Sequence, residues 1–232
     1  GFTMSMNLDK VVLGKNHSDF LKNTRQLKSM LGATAKSITV KIDQAELKDL
    51  KDSGYALCFA KKVGDKDYNV IWKSMNKYLE NNKFTWTPVY QISGTNTFED
   101  SIKVETTTNT QDIGLEEKTT IDEYGHLSDP VTGGNENSIN VKNEYDKIHV
   151  VISQSSVNDK GNMETTPIYV SKEKVILGDS SYEPVEKVLI WFQANAETAT
   201  MFSEMRSNAI EINLTGKSSD AVLYKDGKWS RI

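Results

Sequence analysis

The chain has 232 residues, 37% of them apolar and 26% charged, with a formal net charge of -4 and a mean hydropathy of -0.52. That balance excludes a strongly basic nucleic-acid footprint, and no apolar run approaches the roughly 20 residues of a membrane-spanning helix. The single cysteine, Cys58, excludes an internal disulfide, and a chain this long buries a core without one.

Residues 1–6 are too few for a secretory leader and lack its basic lead-in. The expected protein is therefore soluble, cytoplasmic or secreted without a leader. Residues 18–32 then predict an amphipathic helix. Ser18 or Asp19 can cap it, since a short oxygen-bearing side chain accepts a bond from the free amides of the first turn. Phe20, Thr24, Leu27 and Leu31 recur on one face, Lys22, Arg25 and Lys28 lie off it, and Gly32 ends the pattern. Such a helix packs on its own domain or lies on a membrane surface, with Phe20, Leu27 and Leu31 inward and the three bases at the interface.

Residues 37–42 alternate as a strand, and 43–51 allow two helical turns capped by Asp43. Residues 55–63 are apolar on both faces, as at the centre of a sandwich. Gly64 to Asp67 carries hairpin chemistry, so a return strand is expected with Tyr68, Val70 and Trp72 on one face. Residues 74–82 predict a short helix presenting Met75, Tyr78 and Leu79. The next run alternates through Phe84, Trp86, Tyr90 and Ile92, with Pro88 demanding an edge position or a bulge, because proline donates no ladder hydrogen bond.

A strand over 98–106 and a weaker pair around 114–121 complete the first half. Residues 128–138 are rich in turn formers and read as a long loop or a boundary. Further strands are expected over 147–153, 167–171, 185–193, 209–215 and 221–224. At the end, Asp226-Gly227 fits a type I′ turn that sets Tyr224 against Trp229.

Short strands with a turn every ten or so residues predict an all-β chain with one or two short helices. The expected fold is an antiparallel β-sandwich or barrel, preceded by the amphipathic helix and spanning 1–232 as one domain. The likeness of Val70-Ile71-Trp72-Lys73 to Leu189-Ile190-Trp191-Phe192 raises the idea of two related halves meeting near 128–146.

No catalytic, cofactor or metal motif emerges. His17, His126 and His149 are too far apart for two ligands on one element. Cys58 sits in an apolar run with no neighbouring base to make a thiolate. Gly133-Gly134 lacks the lysine and flanking elements of a phosphate loop. No cofactor is expected, and the chain reads as a non-enzyme.

The aromatic residues carry the functional expectation. Tyr68, Trp72, Trp86 and Trp191 fall at strand centres and suit a core. Tyr78, Tyr90, Tyr182 and Trp229 fall near strand ends or loops, where an apolar ring with a polar tip suits sugar stacking or the headgroup layer of a membrane. In layout the chain resembles actinoporin-like cytolysins and fungal sandwich lectins: a cysteine-poor, aromatic-rich sandwich after an amphipathic helix. That resemblance implies a recognition protein for membrane lipid or glycan, including a pore-forming toxin. The alternatives are a homo-oligomeric structural or assembly protein, to which Thr-rich edges are suited, and a polysaccharide hydrolase, whose paired carboxylates no sequence pattern singles out.

Overall fold

The computed structural model describes residues 35–175 and 177–232. The helix expected over 19–31, with Phe20, Lys22, Arg25, Leu27, Lys28 and Leu31, lies outside them. The chain runs through β1 (Lys36–Ile42), α1 (Gln44–Asp52), β2 (Tyr55–Val63), β3 (Lys73–Met75) and β4 (Asn81–Thr95). It continues through β5 (Gln111–Ile113), β6 (Glu117–Ile121), β7 (Val131–Thr132) and β8 (Ile139–Asn143). The last part carries β9 (His149–Val157), β10 (Met163–Val170), β11 (Gly178–Tyr182), β12 (Pro184–Ala194), β13 (Ile210–Asn213), β14 (Ser219–Lys225) and β15 (Lys228–Arg231).

Among the described residues the fold is all-β and sandwich-like, with no closed barrel. The largest sheet runs β10–β9–β4–β1–β14–β15, with β5 beside β4; two smaller sheets run β11–β8–β6–β7 and β13–β12–β2–β3. The pairing is not wholly antiparallel as expected. β1 lies parallel to β14, and β6 lies parallel to β8. Parallel neighbours need a long crossover, and both pairs are far enough apart in sequence to have one. Side chains from all three sheets meet in one apolar cluster, with Ile38, Phe59, Trp72, Trp86, Val141 and Ile190 among its buried members.

Pro88 organises the middle of this core. It cannot donate a ladder bond, and the β4–β9 register slips between Trp86 and Tyr90 to form the expected bulge. There the Gln154 side chain donates from Nε2 to the Thr87 carbonyl at 3.1 Å. The same amide's Oε1 accepts from Lys61 Nζ at 3.1 Å. Its main-chain carbonyl receives the Trp72 indole N–H at 3.2 Å. A proline in one strand thus creates a polar seam that a glutamine fills and a lysine completes.

Three expected elements differ. Residues 68–72 form no regular return strand, because Asn69 to Ile71 pair with the β12–β13 connection before Trp72 rejoins β2, its N–H binding the Phe59 carbonyl at 2.8 Å. Ile71 N–H binds the Thr200 carbonyl at 2.8 Å and Ala199 N–H binds the Ile71 carbonyl at 2.7 Å. Residues 74–82 are not helical. β3 ends at Met75 and β4 begins at Asn81, and Asn82 closes the turn between them by accepting from Leu79 N–H and donating to its carbonyl. Residues 98–106 form no strand either, since Ser101 has φ 66° and the segment pairs with 199–201 through single contacts. The two look-alike tetrads sit in unlike places: Trp72 follows an irregular segment and faces the main core, whereas Trp191 lies in β12 and faces the outer cluster.

β8 and β11 were not legible as strands. They cohere through Asn140, whose buried amide donates to the Glu117 and Ser138 carbonyls at 3.0 Å and accepts from Ser181 Oγ at 2.7 Å.

At the C-terminal hairpin, Asp226 and Gly227 have φ of 52° and 71°, as a type I′ turn requires, and Tyr224 pairs with Trp229. A Cβ on Gly227 meets nothing within 4 Å, so a side chain there is penalised only through the backbone. Gly227→Val is expected to lose about 1–2 kcal/mol, the cost of a β-branched residue in the left-handed region. Denaturant midpoints measure it, and an unchanged midpoint would mean the turn relaxes to another type.

Candidate functional site

β2 alternates between two apolar surfaces. Leu57, Phe59, Lys61 and Val63 alternate with Ala56, Cys58 and Ala60, and the first set faces the main core. The three small residues leave room on the opposite face for the Trp191 indole, which meets the Phe202 ring edge-on at 5.6 Å. This second cluster would be a wet apolar face if uncovered. Residues 195–209, the link from β12 to β13, lie over it.

The last part of that link, residues 203–209, forms a strap with a depression on each side. The larger is about 710 Å³ and is lined by Tyr55, Gln193, Glu204, Met205, Arg206 and Asn208, with Trp191, Phe192 and Tyr224 among its walls. The smaller is about 310 Å³ and includes Lys62, Asp67, Tyr68, Glu211, Met205 and Arg206. Met205 and Arg206 belong to both. Met205 is 92% exposed at the crest of the strap, and Tyr55 is 40% exposed at the mouth of the larger groove.

Arg206 is fixed where it stands. Nε and Nη2 both donate to the Glu204 carbonyl, at 3.2 and 2.9 Å, and Nη1 donates to Gln193 Oε1 at 3.1 Å. Its Cζ lies 4.7 Å from the centre of the Phe202 ring, a cation–π position. Gln193 Oε1 also accepts from the Trp191 indole at 3.0 Å, so one amide oxygen ties the strap to β12.

Trp229 supports the other end of the strap. Its indole donates to the Asn208 carbonyl at 3.1 Å, and its ring stacks on Phe192 at 5.2 Å and 14°. The hairpin that carries it is held to α1 by Glu46, whose carboxylate accepts from Gly227 N–H at 2.7 Å. In the smaller depression the Tyr68 hydroxyl donates to Glu211 at 2.8 Å, with the Lys62 ammonium 4.8 Å from the ring centre. Burial first, then the Glu211 bond, raises the Tyr68 phenol well above the usual range, so it remains a donor.

Of the four aromatic residues expected to present rings to a ligand, three are buried. Tyr78 is fully covered, donates its hydroxyl to the Tyr55 carbonyl at 2.7 Å and packs on Phe192. Tyr90 leaves the bulge pointing inward, where burial and then the Glu186 charge raise its phenol. Tyr182 is buried beside Tyr169. Tyr78 lies in the turn between β3 and β4, Tyr90 in the middle of β4 beside the bulge and Tyr182 at the end of β11, and all three are buried. Trp229 is half-buried and lines neither depression; it props the strap from below through Asn208 and Phe192. Cys58 is buried, and burial pushes its thiol up to about 12, which disfavours the thiolate a nucleophile needs. His149 is buried with Nδ1 2.6 Å from the Ser171 carbonyl. Among the described residues no group of three His, Cys, Asp or Glu side chains is placed to hold a metal.

Sequence reasoning missed Tyr55, Gln193, Arg206 and Asn208. The available signal was length: links longer than about 12–15 residues are uncommon unless functional or disordered, and 195–209 is such a link.

No family of known proteins, curated protein or solved structure matches the chain. Among the described residues no helix is long and apolar enough to cross a membrane.

Proposed function

We propose that the protein is a non-enzymatic recognition protein that binds a glycan in the larger groove beside the strap. The observation that carries this reading is the exposed Tyr55 ring at the mouth of a groove bordered by Gln193, Ser207, Asn208 and Arg206. A ring face covers the apolar C–H surface of a sugar, while amides, a hydroxyl and a guanidinium match its hydroxyl groups with directed hydrogen bonds. The groove walls rest on packed rings of β12 and the terminal hairpin, so the site is largely preformed. A preformed site has little ordering cost on binding.

Titration of free oligosaccharides against tryptophan fluorescence tests it, with Trp191 in the groove wall as reporter. Binding by at least one class of oligosaccharide is expected. Tyr55→Ala should weaken it roughly five- to tenfold, the equivalent of about 1 kcal/mol of ring contact. Absence of binding across neutral, acidic and amino-sugar oligosaccharides would overturn the reading.

A membrane-surface reading has one observation in its favour. Met205 on the strap, which lines the groove together with Tyr55, is 92% exposed. Liposome co-sedimentation with dye release separates the two: pelleting that Met205→Ser abolishes favours lipid, and release in the same tubes favours a cytolysin.

A further inference from the structure

We infer that the glycan taken by the larger groove is an acidic one, and that Arg206 reads its carboxylate or sulfate. The inference rests on the glycan reading above. Its basis is the state of Arg206 itself. The guanidinium carries five N–H donors, and three are engaged, all by neutral acceptors: the Glu204 carbonyl twice and Gln193 Oε1 once. Two N–H groups, one on each terminal nitrogen, remain for a ligand. Among the described residues no carboxylate forms an ion pair with Arg206, although Glu204 and Glu211 line the same two depressions.

The three hydrogen bonds and the face of Phe202, 4.7 Å away, hold Arg206 in the strap, between exposed and buried, but put no counter-charge against it. Its rotamer entropy is already lost before any ligand arrives. A preordered, uncompensated guanidinium on the wall of a groove is an anion receptor, since charge-assisted bonds to a planar carboxylate or a sulfate are about twice as strong as neutral ones. Tyr55 at the groove mouth supplies a face for the ring that carries the acidic group. The neighbouring carboxylate of Glu204 sets a limit: it disfavours a densely charged polyanion, so the ligand has isolated acidic groups between neutral sugars.

The test pairs 3′-sialyllactose with lactose, and a uronate-containing tetrasaccharide with its carboxyl-reduced form, against the full chain by isothermal titration. The acidic member of at least one pair is expected to bind on the order of tenfold or more tightly, with the advantage shrinking at high salt. Arg206→Gln should bring the acidic member down to its neutral partner, and Arg206→Lys should recover part of the difference. Thermal unfolding of each variant separates a collapsed strap from a lost contact. If acidic and neutral members bind alike and Arg206→Gln leaves both unchanged, the acidic assignment is wrong while glycan binding stands. If no sugar of either kind binds, the glycan reading fails and the assignment fails with it.

Discussion

Trp72→Ala will destabilise the protein by about 3–5 kcal/mol, the range for removing a fully buried large aromatic. Trp72 has no exposed surface and meets Phe84 edge-on at 5.0 Å and Trp86 at 5.6 Å. Its loss forfeits both ring contacts, opens a cavity at the meeting of the sheets, and leaves the Gln154 carbonyl without the indole donor. The collapse that softens such losses is hindered here, because the neighbouring segment is irregular and is held through Asn69, whose amide donates to the Val170 carbonyl at 2.6 Å. Trp72→Phe keeps most of the ring contact and loses the hydrogen bond, so it should cost about 1–2 kcal/mol. Urea unfolding followed by circular dichroism measures both. An alanine variant within about 1 kcal/mol of the wild type would refute this account of the core.

The second large effect is a dependence of stability on pH that Lys61 controls. Lys61 is 1% exposed, and its amine is pushed down to about 8, first by burial, against a partial opposing pull from Glu186 and with a further push from Lys36. The Glu186 carboxylate is 3.8 Å away and, among the described residues, the close hydrogen bond is to a neutral amide, so little offsets the cost of burying the charge. Below about pH 8 the lysine is protonated folded and unfolded, and the folded state bears the full burial cost. Between about 8 and 10.4 the folded protein has released a proton that the unfolded chain still holds. The contribution of Lys61 to stability must therefore rise with pH through that window, by an amount on the order of 2–3 kcal/mol.

The buried phenols act with the opposite sign. Tyr68, Tyr90, Tyr169 and Tyr182 are all raised in the fold, chiefly by burial, so the unfolded chain loses those protons first once pH passes about 10. Cys58, whose thiol burial pushes up to about 12, opposes Lys61 from about pH 8.5, so the rise is read between pH 8 and 9.5 in a Cys58→Ala background. Lys61→Met, close in volume and uncharged, should abolish the slope and be at least as stable as the wild type at pH 7. A Met variant that lost 2 kcal/mol or more at pH 7 would mean that the Glu186 pairing outweighs the burial cost.

How much was legible depends on whether a residue's partner is local or distant. The two-faced apolar run of β2, the bulge demanded by Pro88 and the Asp226-Gly227 turn were readable because each rests on side-chain alternation or backbone chemistry within a few residues. The return strand after Asp67, the helix over 74–82 and the strand over 98–106 satisfied the same local patterns, yet their backbone partners lie elsewhere. Residues 68–71 and 98–104 pair with 199–202, and no periodicity announces that. The candidate site was least legible of all. Tyr55 reads as one more strand residue, and Arg206 as one more surface charge.

By itself, then, the amino-acid sequence determined the all-β class, most strand positions, the buried character of Cys58 and the core tryptophans, and the final hairpin. These follow from alternation and from the φ preferences of glycine and proline. Only the tertiary structure decided which aromatics reach solvent, that Lys61 is buried beside Gln154, and that Arg206 stands on the wall between two depressions. The physical reason is that exposure and charge compensation are set by groups distant in the chain, and a strand residue's neighbours across a sheet interface leave no trace in its own local pattern.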